Sequence, residues 1–196
     1  MQNLRKLNIC KKEVSLQNNS HTTQMLNRTP QWVAIYTNSR AEKRVAQTLD
    51  EKGYENYLPL IQRRHRWSDR YKMVDEPLFR SYVFAKIKST DVVPVRNIDG
   101  VCFIVAFGDG IVTIPEAQID AVRRLVDSKQ ELFVQEISAM KKGAKVKITD
   151  GAFAGMEGIL VSRGKEGNFA VRIDAIGLSL ITTVDRLLLK PMTTKR

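Results

Sequence analysis

The chain has 196 residues, of which 43% are hydrophobic and 27% are charged, and its formal net charge is +11. This length suits one or two domains, and the composition is ordinary for a water-soluble protein. No apolar run approaches the roughly 20 residues that span a bilayer, and the basic N-terminus lacks a secretory signal. We therefore expect a cytoplasmic protein with no membrane segment, and its charge favours a polyanionic partner such as nucleic acid.

The sequence gives no support to metal or cofactor chemistry. Cys10 and Cys102 fit a reducing compartment but have no metal-ligand spacing, and His21 and His65 are the only histidines. There is no phosphate-binding loop, and no nucleophile is paired with a base. We expect no metal, no cofactor and no enzymatic activity.

Residues 1–30 are polar without sustained periodicity, which predicts a disordered N-terminal extension. A strand follows at Trp32 to Tyr36, and then a helix that ends near Gly53. Ser39 and Glu42 have the spacing of a capping box at the start of that helix. Tyr54 to Leu60 is predicted as a short strand.

Residues 62–72 contain five positive charges and two aromatic side chains, Trp67 and Tyr71. A loop or hairpin tip of this composition suits phosphate contact combined with base stacking. The alternative is a charged hairpin tip that keeps a sheet edge soluble.

The stretch from Pro77 to Ile87 predicts a second strand, whose residues alternate between an aliphatic face and a face with Tyr82 and Phe84. The first strand divides in the same way, with Trp32 and Tyr36 on its aromatic side. If the two strands share a sheet, the aromatic face needs a cover, either a second domain or a partner protein. The alternative is that both faces are ordinary core.

Gly100 to Phe107 predicts a further strand, and Pro115 opens a helix with a buried stripe of Ile119, Val122 and either Leu125 or Val126. The interleaved strands and helices of residues 31–126 predict an α+β domain with a mostly antiparallel sheet. We interpret residues 127–140 as a linker. Residues 141–192 contain short strands separated by glycine turns, which predicts a small β-barrel.

This arrangement resembles the NusG family of transcription elongation factors. The first domain is similar to the NusG N-terminal (NGN) domain, by Trp32 to Tyr36, Pro77-Leu78-Phe79 and Tyr82-Val83-Phe84. The second is similar to a KOW domain, with the motif residues Gly151, Phe153, Gly155 and Gly158. Within the family, the chain most resembles specialised paralogues, namely RfaH and the UpxY antiterminators of capsular polysaccharide operons.

The resemblance implies a transcription antitermination factor whose NGN domain binds the clamp helices of RNA polymerase and suppresses pausing and termination. The implied polymerase-binding positions are Tyr36, Tyr82, Phe84, Ile104 and Phe107. The resemblance also implies that Arg44 binds non-template DNA or nascent RNA. On the basis of their positive charge, we add Arg40, Arg63, Arg64 and Arg66 as candidate nucleic-acid contacts. The KOW domain would recruit a partner such as a ribosomal protein or Rho.

Two alternatives stay open. One is general NusG activity, including Rho recruitment. The other is an RNA- or ribosome-binding module, in which Tyr82 and Phe84 would stack on bases rather than contact polymerase.

Overall fold

The computed structural model describes residues 26, 28–66, 70–108, 110–137, 143–161 and 166–192, apart from the side chains of Glu166 and Arg186. The predicted N-terminal extension lies mostly outside the described residues, as do Trp67 and part of the predicted linker. The N-terminal elements are β1 (Gln31–Thr37), α1 (Glu42–Glu51), β2 (Asn56–Tyr57), β3 (Leu60–Arg66), β4 (Tyr71–Pro77), β5 (Tyr82–Ile87), α2 (Val92–Arg96), β6 (Val101–Ile104), β7 (Ala106–Phe107), β8 (Gly110–Ile111), β9 (Thr113–Ile114) and α3 (Glu116–Asp127).

A five-stranded antiparallel sheet organises the N-terminal part, in the order β2-β5-β1-β6, with β9 also paired to β1. Strands β1 and β5 lie side by side, so the predicted α+β domain with two unlike sheet faces is confirmed. Val33, Ile35, Val83 and Ala85 are fully buried on the aliphatic face, against α1 and α2. The predicted buried stripe of α3 is also confirmed.

The predicted capping box at α1 is wrong. The N-cap of α1 is Ala41, and its side chain makes no capping hydrogen bond. Glu42 instead turns inward, is 5% exposed, and its Oε1 accepts a hydrogen bond of 2.7 Å from the backbone N–H of Ser81. Ser81 has a φ of +64° just before β5, so the carboxylate joins α1 to a turn that is 39 residues away in sequence. A tertiary partner has replaced the local one.

The basic segment forms a β-hairpin. Strands β3 and β4 pair from Leu60–Pro77 to Arg66–Tyr71 and form a two-stranded sheet of their own. Residues 67–69, between the paired ends, lie outside the described residues. A shorter hairpin, of β7 and β8, follows β6.

The C-terminal strands form one sheet in the order β10-β14-β13-β12-β11-β15. Their bounds are β10 (Phe133–Glu136), β11 (Ala144–Ile148), β12 (Glu157–Leu160), β13 (Glu166–Ile173), β14 (Leu178–Asp185) and β15 (Leu189–Pro191). The predicted closed barrel is not found among the described strands, because β10 and β15 lie at opposite ends of the pairing order. Strand β10 comes from the segment predicted as a linker and pairs with β14.

One hydrophobic cluster joins the two parts of the chain. It runs from the aromatic face of the N-terminal sheet through α3 to the C-terminal sheet, and it includes Trp32, Phe84, Leu125, Phe169 and Val171. Arg124, on α3, donates hydrogen bonds to the backbone oxygens of Ala152 (2.8 Å) and Ala154 (3.1 Å). The C-terminal sheet therefore packs on the side of the molecule that the aromatic face occupies.

Candidate interaction surfaces

The aromatic face of the N-terminal sheet is built by strand register. Tyr36 lies opposite Tyr82 on β5 and opposite Phe103 on β6. Cross-strand partners project to the same side of a sheet, so the three rings meet. Tyr36 and Phe103 stack with centroids 4.9 Å apart, and Tyr36 and Tyr82 pack edge to face at 5.2 Å. These three residues are called the aromatic patch below.

The aromatic face is closed at one end and open at the other. Phe84 is fully buried and Trp32 is 1% exposed, whereas all three rings of the aromatic patch are half-buried. Burial, with a smaller effect of Tyr36, raises the pKa of Tyr82. A raised phenol pKa keeps the ring uncharged at neutral pH, so this ring of the patch offers a neutral apolar surface with a hydroxyl.

The closed end carries a cluster of charges at its rim. Lys86 Nζ lies 3.1 Å from Glu116 Oε1 and 3.4 Å from Glu55 Oε2. Arg123 lies 5.3 Å from the ring of Trp32. The hydrogen bond from Lys86 lowers the pKa of Glu116, and the same bond raises the pKa of Lys86. This end of the face is therefore covered by both apolar packing and paired charges.

The five residues predicted to bind polymerase do not share one surface. Ile104 pairs with Ile35, lies on the aliphatic face, and is 1% exposed. Phe84 belongs to the core, and Phe107 is 53% exposed on the separate β7–β8 hairpin. Only Tyr36 and Tyr82 come together, and Phe103 joins them in place of its neighbour Ile104. The pairing register places Phe103 opposite Tyr36 and Ile104 opposite Ile35, on the other face of the sheet.

The predicted nucleic-acid residues form two groups on different elements. Arg63, Arg64 and Arg66 are exposed on β3, while Arg40 is exposed before α1 with a φ of +64°. Arg44, on α1, pairs with Asp99 at 2.9 Å between Nη1 and Oδ2. An acid at position 99 therefore offsets part of the positive charge beside α1.

The hairpin distributes its contacts unequally between its two faces. Glu76 Oε1 lies 2.8 Å from His65 Nε2, and its other oxygen lies 3.8 Å from Arg63 Nε. Arg64 instead lies over the ring of Tyr71, with its guanidinium carbon 3.7 Å from the centroid. Charge-neutralising contacts therefore occur on one face and a cation–π contact on the other.

The glycine-rich motif forms the turn between β11 and β12. Gly151 and Gly155 have φ of +81° and +83°, a conformation that favours glycine. Phe153 is buried between them at 5% exposure. Gly158 serves close packing, because a Cβ there would lie 2.5 Å from the ring of Phe169. Gly158 therefore differs from Gly151 and Gly155, because it is needed for packing rather than for a positive φ.

Two classes of feature are absent from the described ranges. No group of three or more His, Cys, Asp or Glu side chains is placed to hold a metal ion. Within the same ranges, no helix has the length and apolar character needed to cross a membrane.

Comparison with known proteins matches the N-terminal part to one family. The family model described as "Transcription termination factor nusG" matches residues 30–123. The solved structure titled "Domain interaction in Thermotoga maritima NusG" matches with a TM-score of 0.49 and 19% identity, covering 84% of this chain and 98% of that chain. "Crystal Structure of MjSpt4:Spt5 complex conformation A" matches with a TM-score of 0.26 and 15% identity, covering 84% and 99%. Among curated proteins, none matches.

Proposed function

From the match of residues 30–123 to the NusG family model, we propose that this chain belongs to the NusG family of transcription factors, binds RNA polymerase and suppresses pausing and termination. The proposed contact on the enzyme is the clamp helices, which the resemblance to NGN domains implies. The proposed contact on this chain is the aromatic patch of Tyr36, Tyr82 and Phe103.

The half-exposed state of the aromatic patch is the observation that carries the proposal. Its rings are held in fixed mutual positions by strand register and by each other. Rigid aromatic side chains lose little conformational entropy on binding, and Tyr is enriched among the residues that dominate interface energies. Tyr82 packs against the adjoining buried cluster that contains Phe79 and Phe84, whose ring centroids lie 5.9 Å apart.

Nucleic-acid contact is the second part of the proposed function. A factor bound at the polymerase clamp works beside nucleic acid, and a chain with a net charge of +11 is attracted to phosphate. Arg40 and Arg44 beside α1, and the arginines of β3, are the proposed contacts with non-template DNA or nascent RNA. The pairing of Arg44 with Asp99 leaves Arg40 and the hairpin as the stronger candidates.

The C-terminal sheet supports a recruiting role of the KOW type. The resemblance to a KOW domain rests on the glycines of its Gly151–Gly155 turn and on the packed Gly158. A ribosomal protein or Rho is the proposed class of partner. The resemblance to RfaH and UpxY supports action on particular operons, and those for capsular or other surface polysaccharides are the proposed targets.

Binding to core RNA polymerase tests the proposal directly. We expect the variant Tyr36→Ala/Tyr82→Ala to bind at least about tenfold more weakly than wild type, because interface aromatics contribute most of the binding energy. Phe133→Ala is the matched control, since Phe133 is 52% exposed but lies on β10. Near-UV circular dichroism and urea denaturation would show that each variant is folded.

Unchanged polymerase affinity in the double variant would overturn the aromatic patch as the contact. An effect in the Phe133→Ala control of equal size would do the same. A binding-competent wild type should also shorten pauses in a transcription assay with purified polymerase. Binding without any effect on pausing or termination would contradict the antitermination role and favour the general NusG-type alternative.

The RNA- or ribosome-binding alternative is separated by the same variants. It requires the loss of Tyr82 to abolish RNA binding while polymerase binding is unaffected. The full burial of Phe84 counts against that alternative, because a ring with no exposed surface is not positioned to stack on a base.

A further inference from the structure

We propose that one face of the β3–β4 hairpin binds single-stranded nucleic acid through Arg64, Arg66 and Tyr71, with Met73 beside them. This inference deepens the proposed function and rests on it for its biological setting. It names the ligand class, and it separates residues that the sequence presented as one basic run.

Strand register divides the hairpin into two unlike faces. Arg64 pairs with Met73 and Arg66 pairs with Tyr71. Cross-strand partners project to the same side, and residues two apart on one strand share that side. These four side chains therefore form one face, which we call the stacking face. Arg63 and His65, with their partners Val74 and Lys72, lie on the other face.

The stacking face exposes apolar surface together with positive charge. Tyr71 is 56% exposed and Met73 is 53% exposed, and the two side chains share this face. Arg64 and Arg66 are exposed beside them. Aromatic rings next to arginines are the means by which proteins hold single strands, since bases stack on the rings while guanidinium groups contact phosphates.

The contact between Arg64 and Tyr71 makes this face a pre-formed platform. The guanidinium carbon lies 3.7 Å from the ring centroid, which is within the range of a cation–π contact. The contact fixes two side chains that would otherwise lose conformational freedom when a ligand binds. A planar guanidinium and a phenol ring are then both presented at the surface, and each is a stacking partner for a base.

The opposite face is partly neutralised by its own acid. Glu76 contacts both His65 and Arg63, so the positive charge on that face is partly offset within the hairpin. Asp75, which pairs with Gln62 two positions from the Arg64–Met73 pair, is an acid on the same side of the hairpin as the stacking face. Lys72 is also exposed on the opposite face, so the stacking face is distinguished by its exposed ring and its cation–π contact rather than by its net charge.

The stacking face suits a single strand better than a duplex. Within the described ranges, β3 and β4 pair only with each other and form a sheet separate from the domain's main sheet. Base stacking on Tyr71 requires a base that is not already stacked inside a double helix. Melted DNA and nascent RNA both provide such bases, and their shared chemistry is what the stacking face would recognise.

The test is fluorescence anisotropy with the full chain and a labelled single-stranded oligonucleotide of mixed sequence, made as DNA and as RNA, with the DNA duplex alongside. We expect Tyr71→Ala to weaken single-strand binding about five- to a hundredfold, the range for loss of one stacked base. Arg64→Lys keeps the charge but removes the planar group, and it should also weaken binding. Lys190→Ala, at an exposed lysine of β15, is the matched control, and we expect less than about a twofold change.

Three outcomes would overturn the inference. Failure of the wild type to bind either single strand is the first, and binding to the duplex as tight as to the single strand is the second. Equal losses in Lys190→Ala and Arg64→Ala are the third, because they would mean unspecific attraction by charge. Comparing DNA with RNA identifies the strand that is preferred, and a preference for either one supports the inference.

Polymerase binding by the same variants keeps this inference distinguishable from the proposed function. Tyr71→Ala should bind core polymerase as the wild type does while losing oligonucleotide affinity. If the wild type binds oligonucleotide through Tyr71 but not polymerase, the proposed function fails and the stacking face stands. If Tyr71→Ala loses only polymerase binding, the hairpin contacts protein and this inference fails.

Discussion

The two faces of the N-terminal sheet are both apolar, but they differ in how they are covered. On the aliphatic face, Val33, Ile35 and Val83 have no exposed surface, and helix α1 closes over them through Val45 and Leu49. On the aromatic face, Trp32 and Phe84 are buried, but the aromatic patch at the other end is half-exposed.

The difference shows that alternation along a strand assigns a residue to a face but does not make it core. Tyr82 and Phe84 are two residues apart on β5 and point to the same side, yet only Phe84 is fully buried. The two residues differ in how far α3 and the C-terminal sheet cover them. Phe84 is among the buried residues of the hydrophobic cluster that these elements form, whereas Tyr82 is only partly buried at its edge. A binding surface on this face is the part that the cover leaves open.

Phe84→Ala gives the largest expected effect in this comparison. Removing a fully buried phenylalanine should lower the free energy of unfolding by about 3–5 kcal/mol, because apolar contacts are lost and a cavity is left. Urea denaturation followed by circular dichroism would measure it. Tyr82→Ala should cost clearly less, and Phe133→Ala less than about 0.5 kcal/mol. Equal costs for Phe84 and Tyr82 would remove the distinction between the closed and open ends.

Glu42→Ala should have a smaller effect on the free energy of unfolding. It would release the turn at Ser81, which precedes the open end of the aromatic face. The backbone N–H of Ser81 would lose its acceptor, and a buried donor without a partner costs about 1–3 kcal/mol. Denaturation measures the loss of stability, and near-UV circular dichroism would report a changed environment of the adjacent Tyr82. Glu51→Ala, on the exposed side of the same helix, is the control. A cost no larger than that of the control would mean that Glu42 does not hold this turn.

Glu116→Gln should give the smallest effect, at the rim of the closed end. The pKa of Glu116 is lowered by Lys86, so its carboxylate stabilises the folded state at neutral pH. That contribution is lost as the pH falls from about 5 through the lowered pKa, where the folded state takes up the proton. The variant should therefore lose less stability than wild type between pH 7 and pH 4. Glu131→Gln, at an exposed acid away from this pair, is the control. If Glu116→Gln kept the pH dependence of the wild type, the Glu116 carboxylate would not stabilise the folded state through Lys86.

The sequence predicted most of the elements that build the sheet and missed contacts made over long distances. Strands β1 and β5 and the stripe of α3 follow from local periodicity. The capping box failed because Glu42 found a partner 39 residues away. The resemblance implied Ile104, but Ile104 is buried and Phe103 lies beside Tyr36, because register against β1 decides which of two neighbours joins it.

The C-terminal part shows the same limit. Its short strands and its glycine turn at Gly151 to Gly155 were predicted from composition and spacing. The addition of β10 to β14, and an order of described strands that does not close into a barrel, depend on pairing between distant segments. No local pattern in Phe133–Glu136 indicated which strand it would join.

By itself, the sequence determined the charge of this protein, its local elements, the unlike faces of its main sheet and the family it resembles, because each is a property of composition or short-range periodicity. Only the tertiary structure decided which aromatic residues are core and which are surface, and which hairpin arginines are offset by Glu76. Those outcomes depend on register, on the cover that α3 and the C-terminal sheet provide, and on ion pairs between residues far apart in the chain, none of which is encoded by neighbouring residues alone.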